Sequence, residues 1–218
     1  MSINVFQSQP KGFVRFTSSQ NWVVPIGVSR IKIITLGGGG GGGGGYSSTY
    51  TGGGGGSGGI AYAEAAVNPG DVLSIQIGAG GAGGTGGSSP TAGGSGGNTE
   101  VYDNNFSTSY PITGAGGGGG GGAASSSANG TNGSAGTPWN PDPLVTTSFG
   151  INGMAGQGTG MANAPVLPLG SAASTSNIVT LVYWLTSAGN CGLGGDGGAV
   201  NSNGGGGIAG IVFIWWGD

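Results

Sequence analysis

Residues 28–45 read VSRIKIITLGGGGGGGGG and join a strand-like segment directly to nine consecutive glycines. In the first half, Ile31 and Ile33 alternate with Arg30 and Lys32, which is the two-residue period of a β-strand with one buried face. The glycines that follow have no side chains to pack, and glycine loses more backbone entropy on ordering than any other residue. This junction predicts two kinds of structure in one chain, strands with side chains and tracts without them.

Other segments have the same alternation and are predicted to be strands. Residues 68–71 read Asn-Pro-Gly-Asp, and proline followed by glycine at the centre of a turn predicts a type II turn between two of these strands. No segment has the apolar period of an amphipathic helix, so the sequence predicts an all-β protein without α-helix. The strand segments, with 28–36, are Phe13–Thr17, Ala61–Val67, Val72–Ile77, Thr99–Asp103, Ile178–Thr186 and Ile208–Trp216.

Glycine supplies 59 of the 218 residues, and several glycine tracts repeat every three residues. Three is the period of the extended polyproline II helix, whose N–H and C=O groups point sideways and find partners only on neighbouring chains. Collagen is excluded because the period is not sustained and proline is scarce. A flexible glycine linker is the alternative, although the low charge is unlike a disordered chain. The tracts with this period are Ser57–Ile60, Ala79–Ser88, Ala92–Asn98 and Leu193–Ala199.

The position of the remaining side chains predicts where each tract lies in a bundle of such helices. A tract of x-Gly-Gly repeats has two bare edges and one edge with side chains, so we expect it at the border of the bundle with x facing outward. The tracts without side chains, Gly37–Gly45 and Gly116–Gly122, are expected inside the bundle. Cβ atoms would prevent the close approach of neighbouring backbones there, which is why only glycine fits at the axis of collagen.

The order strand, tract, loop, tract, strand occurs several times along the chain. If each tract continues the direction of its strand, the loops meet at one end and the strands form a β-rich base at the other. We expect a glycine-rich domain at residues 28–218 and an N-terminal segment, residues 1–27, that serves for attachment or adds a strand to the base. The loops predicted to meet are 46–51, 88–91, 123–152 and 199–203.

Several functional classes are excluded by composition. The chain has no His, a single cysteine, Cys191, only four Lys and Arg residues, and a net charge of −3. A catalytic Ser-His or Cys-His pair, a Cys/His zinc cluster and an internal disulfide therefore cannot form. Four cations are too few for the basic surface that nucleic-acid binding requires. We expect no enzymatic activity, no catalytic residue, no metal and no cofactor, because the carboxylates are scattered along the chain.

The N-terminus lacks a charged region followed by an apolar stretch, so no signal peptide is predicted. The longest apolar runs, near residues 179–185 and 208–216, are too short to cross a bilayer, so no membrane insertion is expected.

The predicted loops contain the aromatic, hydroxyl and amide side chains that are typical of binding loops on a rigid scaffold. Tyr46 and Tyr50 fit either contact with a partner or a structural cap on the bundle. Trp139 lies between prolines, so a buried structural role is an equal alternative there. The candidate binding residues are Tyr46, Ser47, Ser48, Thr49, Tyr50, Ser89, Pro90, Thr91, Trp139, Asn140, Phe149, Asn201 and Ser202.

Three stretches resemble the glycine-rich domains at the ends of bacteriophage tail fibres. They are Trp22-Val-Val-Pro-Ile-Gly-Val with the following strand and polyglycine, Val67-Asn-Pro-Gly-Asp-Val-Leu-Ser-Ile-Gln-Ile-Gly-Ala-Gly-Gly, and the closing Gly-Ile-Ala-Gly-Ile-Val-Phe-Ile-Trp-Trp. They are also similar to the polyglycine-helix adhesins at the tips of long tail fibres. The resemblance implies a receptor-binding protein at the fibre tip of a virion, made in the host cytoplasm.

The resemblance also implies partners. The loops would contact a bacterial cell-surface receptor, either an outer-membrane protein or a glycan, and the base would join another tail-fibre protein or form a trimer with its own copies. Two functions of other classes remain as alternatives. One is an ice-binding polyproline II bundle, although the x positions form no uniform Thr or Ala row. The other is a structural virion protein without receptor contact.

Overall fold

The computed structural model describes residues 11–103, 113–115, 118–120, 130–131, 133–134, 136–139, 145–151 and 192–217. This part of the chain is all-β and contains no α-helix, as predicted. Its ten strands are β1 (Gly12–Phe16), β2 (Gln20–Val23), β3 (Arg30–Leu36), β4 (Ile60–Ala66), β5 (Val72–Gln76), β6 (Thr99–Asp103), β7 (Thr113–Ala115), β8 (Pro138–Trp139), β9 (Val145–Ile151) and β10 (Ile211–Trp216).

The strands form two antiparallel sheets of five strands each. The first sheet has the order β1-β10-β3-β4-β9 and the second the order β2-β5-β6-β7-β8. Because side chains alternate between the two faces of a strand, each sheet directs every second residue toward the other sheet. The core formed in this way contains Ile31, Ile33 and Ile214 from the first sheet and Leu73 and Ile75 from the second, all nearly inaccessible to solvent.

Five predicted strands before residue 104 are observed as β1, β3, β4, β5 and β6. The turn between β4 and β5 has Gly70 at φ 89°, and the Asp71 N–H donates to the Asn68 carbonyl over 3.1 Å, which confirms the type II turn. Strand β10 begins at Ile211 instead of at the predicted residue 208. The predicted strand 178–186 lies outside the described residues.

The N-terminal segment is part of both sheets from residue 12 onward. Strand β1 pairs with β10 at the edge of the first sheet, and β2 pairs with β5 at the edge of the second. Strand β2 was not predicted, because Gln20-Asn-Trp-Val has a single apolar residue before its last position and no alternation.

Gly37–Gly45 donates hydrogen bonds to three neighbouring tracts in turn. The N–H groups of residues 37, 40 and 43 donate to residues 59, 56 and 53, and those of residues 38, 41 and 44 donate to residues 97, 94 and 91. The remaining three, at residues 39, 42 and 45, donate to residues 208, 205 and 202. Each acceptor number falls as the donor number rises, so the three accepting tracts run antiparallel to Gly37–Gly45.

The carbonyl groups of the same tract accept from three further tracts. Those of residues 39, 42 and 45 accept from the N–H groups of residues 81, 84 and 87, which belong to a parallel tract. Those of residues 40 and 43 accept from residues 195 and 198, and that of residue 38 accepts from residue 118. Six tracts thus surround Gly37–Gly45, and every residue of this central tract is buried. We call the seven tracts, residues 37–45, 52–59, 78–87, 91–97, 118–120, 192–198 and 202–208, the glycine array.

Burial in the outer tracts has the same three-residue period. Residues 78, 81 and 84 are buried, whereas Ala79, Ala82 and Thr85 are exposed, and so are Ala92, Ser95 and Asn98 on the next tract. These x positions face outward as predicted. The prediction was wrong for Ser57, Ile60 and Leu193, which are buried at 0%, 1% and 8% exposure.

The interpretation of residues 123–152 as one long loop is also wrong. The N–H groups of Gly130, Gly133 and Gly136 donate to the carbonyls of Thr51, Gly54 and Ser57 over 2.8–3.0 Å, so this segment lies alongside tract 52–59. Strand β8 then pairs with β7 in the second sheet, and β9 pairs with β4 in the first sheet. This eighth tract leaves tract 52–59 buried along its whole length, including Ser57.

Candidate functional site

Predicted loops 46–51 and 199–203 are joined by a backbone hydrogen bond at the end of the central tract farthest from the strands, and Gly87, which precedes predicted loop 88–91, pairs with Tyr46. The Tyr46 N–H donates to the Tyr50 carbonyl over 2.9 Å and closes loop 46–51. The Asn201 N–H donates to the Tyr46 carbonyl over 2.9 Å, and Tyr46 forms a parallel β-bridge with Gly87. We call residues 46–51, 86–91 and 199–203 the apical surface.

Side-chain hydrogen bonds tie the second segment to the array and the third segment to the second. The Thr85 N–H donates to Oγ1 of Thr91 over 2.8 Å, and the two Oγ1 atoms lie 3.0 Å apart. Asn203 Oδ1 accepts from the Gly86 N–H over 2.8 Å. Because both side chains accept hydrogen bonds from backbone N–H groups, the second and third segments are anchored at their bases.

The third segment contains an unusual backbone conformation. Asn201 has φ 58°, the left-handed region that non-glycine residues seldom adopt and that asparagine tolerates best. The Ser202 N–H donates to the Ala199 carbonyl over 2.9 Å and closes a tight turn around it. This turn presents Val200, which is 41% exposed, at its corner.

The apical surface is polar without being charged. Ser47, Ser48 and Thr49 are exposed, Tyr46 and Tyr50 are half-buried, and none of the three segments contains Asp, Glu, Lys or Arg. Hydroxyl and amide groups can both donate and accept hydrogen bonds, and tyrosine rings add apolar area at a small cost in side-chain entropy. The arrangement can therefore bind a partner through neutral hydrogen bonds and ring contacts.

The structure brings most of the predicted binding residues together. Those on the apical surface are Tyr46, Ser47, Ser48, Thr49, Tyr50, Ser89, Pro90, Thr91, Asn201 and Ser202. Val200 and Asn203 also lie on this surface. They were not named among the predicted binding residues, although both are within the predicted loop 199–203. A short polar segment between two tracts was the signal that could have included them.

Two predicted residues do not lie in a loop at the apex. Trp139 is in β8, paired with Gly114, and Phe149 is in β9, paired with Tyr62. Both are parts of the sheets because the segment after Gly136 returns to the base, so their placement among the apical loops was wrong. Asn140 lies outside the described residues. A role for these three residues in binding stays a prediction.

The ionisable groups lie mainly at the base. Glu64, Asp71, Glu100 and Asp103 are on or beside strands, and Asp196 is the one carboxylate that the described chain places on the glycine array. The described residues contain no cluster of three or more His, Cys, Asp or Glu side chains placed to hold a metal ion. They also contain no helix of the length and apolarity needed to cross a membrane.

Comparison with curated proteins gave no match. A family model described as a glycine-rich domain matches residues 15–217, which includes the glycine array, the apical surface and both sheets except the first residues of β1. The chain therefore belongs to this family of glycine-rich domains.

Proposed function

We propose that this protein is the receptor-binding adhesin at the tip of a bacteriophage tail fibre. The observation that carries the proposal is the apical surface, where three segments are linked to one another at the end of the glycine array, whose central tract is buried. Recognition proteins commonly place variable loops on a rigid scaffold in this way. The receptor in this proposal is an outer-membrane protein or a glycan on the bacterial surface.

We infer further that the tracts of the array are polyglycine helices of the polyproline II type, packed side by side. Their hydrogen bonds and their burial both repeat every three residues, which is the period of that helix. Hydrogen bonds leave the central tract in three directions as donors and three as acceptors, which ties it to all its neighbours. Such a bundle resists bending and holds the loops at a fixed spacing.

The remaining parts of the proposal concern partners and location. The protein belongs to the virion and is made in the host cytoplasm, and its base joins another tail-fibre protein or two further copies of itself. It binds no nucleic acid, does not enter the membrane, and catalyses no reaction. Release of sugars or peptides from bacterial envelopes by the purified protein, lost on changing one carboxylate, would contradict the last point.

The test measures binding of fluorescently labelled protein to a panel of bacterial strains, together with competition against phage adsorption. Replacing Tyr46 and Tyr50 with Ala should weaken cell binding by about 2 kcal/mol, the loss typical of aromatic anchors in an interface. The melting temperature should stay unchanged, because the hydrogen bonds of loop 46–51 use backbone atoms. Ser95→Ala, on the exposed side of tract 91–97, is the matched control and should change neither quantity.

The two measurements together separate the alternatives. Loss of both binding and stability would assign the tyrosines to a structural cap. Unchanged binding after replacing side chains in all three apical segments would exclude recognition at the apex and favour a structural virion protein.

Ice binding is the second candidate function, and one observation favours it. Ala79 and Ala82 are exposed on one tract, Ala92 and Ser95 on the next, and Gly94 and Gly97 hydrogen-bond the two tracts to each other. Small neutral side chains thus form a regular outer face. Thermal hysteresis in the purified protein would support this function, and its absence together with cell binding would support the adhesin.

A further inference from the structure

The first sheet has a row of side chains at its end farthest from the apex. The strand register places Phe13, Trp215, Lys32 and Glu64 beside one another across β1, β10, β3 and β4. Phe13 is 49% exposed, whereas Trp215 is only 9% exposed and has the Tyr62 ring 6.1 Å away. The row therefore combines an exposed ring, a fixed indole and two charged groups.

A cleft of about 430 Å³ opens at this row, lined by Ser29, Arg30, Lys32, Glu64, Trp215, Trp216 and Gly217. The Arg30 side chain is 59% exposed at its rim, and its Nη1 lies 3.7 Å from Oε2 of Glu64. Glu64 also accepts a hydrogen bond from the Tyr62 hydroxyl over 2.5 Å. The carboxylate is thus held by neighbours on the sheet, and the guanidinium faces solvent.

The positively charged side chains of this protein lie in the first 32 residues, and two of them line the cleft. All four cations, Lys11, Arg15, Arg30 and Lys32, precede residue 33, and the apical surface has none. Two cations and one carboxylate line the cleft, so its formal charge is positive although the chain has a net charge of −3. A partner with negative charge is therefore attracted here and not at the apex.

We propose that this cleft, which we call the basal groove, docks an acidic polypeptide segment of a second protein. Carboxylates of that segment would bind Arg30 and Lys32, and an apolar side chain beside them would contact Trp215. Tryptophan and arginine are the residues that most often anchor protein interfaces. The proposal does not depend on what the apical surface binds.

The distance between the two surfaces suits this division. Strand and glycine helix together, at about 3.3 Å and 3.1 Å per residue, put Arg30 roughly 50 Å from Tyr46. One protein could therefore hold the base while another contacts the apex.

The test uses the full chain and a fluorescein-labelled synthetic peptide in which Glu and Leu alternate, with a Gln and Leu peptide as the uncharged probe. Fluorescence anisotropy should show that the acidic peptide binds and the uncharged peptide does not. The affinity for the acidic peptide should fall as salt is added. The double variant Arg30→Gln with Lys32→Gln should raise its Kd about tenfold or more. The double variant Lys11→Gln with Arg15→Gln removes the same charge outside the groove and should change Kd less than about twofold.

Quenching of tryptophan fluorescence on binding, reduced in Trp215→Phe, should place the peptide in the groove. Equal weakening in both double variants would overturn the proposal, since the attraction would then be the general charge of the base. Equal binding of the two peptides, or no binding of the acidic peptide to the folded protein, would overturn it as well.

Discussion

The central tract of the glycine array and the core between the two sheets are both buried, but different groups hold them together. In the sheets, side chains such as Ile31, Ile33 and Leu73 fill the space between the two layers. In the array, residues 37–45 have no side chains, and the contacts are backbone hydrogen bonds of 2.8–3.0 Å to six tracts. The sheets therefore depend on the volume of side chains, and the array depends on their absence.

This difference determines which substitutions each region accepts. Each backbone hydrogen bond contributes about 1 kcal/mol net, while ordering a glycine costs more entropy than ordering any other residue. The array is stable only if nearly all of its hydrogen bonds form at once, which requires the closest approach of neighbouring backbones. A core of side chains can adjust to a lost methyl group, but two backbones in contact cannot adjust to an added one.

The largest effect is expected for Gly41→Ala in the central tract. The added Cβ would overlap the carbonyl of Ala82, an atom of a neighbouring backbone that is itself hydrogen-bonded. We expect a loss of about 3 kcal/mol or more in the free energy of unfolding, at the upper end of the cost of overpacking. Urea or thermal denaturation monitored by circular dichroism measures this loss.

Gly206→Ala is the matched control on an outer tract of the same array. Its Cβ would meet only the Gly81 carbonyl at 3.6 Å, which is ordinary contact, and residue 206 is exposed. This variant should be as stable as the wild type or more stable by about 0.5 kcal/mol, because alanine restricts the unfolded chain. Equal losses in the two variants would show that glycine is needed in the array for backbone flexibility and not for close packing.

The sequence predicted the architecture where a period was strong. Arg30–Ile33 alternates, and the tracts beginning at Ala79 and Ala92 repeat every three residues, so both strand and exposed x positions followed from spacing. For Gly37–Gly45 the sequence predicted hydrogen bonds to neighbouring tracts, but not which residues they would join. Which tract accepts from which residue depends on how the chain turns in space, and a run of identical glycines contains no information on register.

The tract at residues 130–136 shows why other parts were missed. Gly130-Thr-Asn-Gly-Ser-Ala-Gly136 has the three-residue period, but with one glycine per repeat instead of two. One bare edge is sufficient there because its glycines donate to a single neighbour, tract 52–59. The prediction required two bare edges and therefore assigned a loop, which misplaced Trp139 and Phe149 and left Ser57 on the outside.

A smaller effect is expected for Ile33→Val in the core between the sheets. Ile33 is fully buried, and removing one methylene group from such a site costs about 1 kcal/mol. The same denaturation experiment as for Gly41→Ala then compares one carbon removed from the sheets with one carbon added to the array. If the core variant proves the less stable of the two, the contrast between the regions is wrong.

The smallest expected effect is on the pH dependence of stability, and it arises in the second sheet. Partial burial, together with the hydrogen bond to Glu100 and its negative charge, raises the pKa of Tyr102 in β6 from 10.0 to about 12. The unfolded chain therefore loses this proton at lower pH than the folded one, so the contribution of Tyr102 to stability is constant below pH 10 and is lost as pH rises from 10 to 12. The fall should be no more than about 1 kcal/mol, since water reaches this half-buried pair and screens it.

Tyr102→Phe removes the titrating hydroxyl, so the stability difference between this variant and the wild type should shift across that window and not below it. If the stability difference between the variant and the wild type stays constant from pH 10 to 12, Tyr102 has the same pKa in the folded and unfolded chains. Glu100 then does not stabilise the protonated form of the Tyr102 hydroxyl.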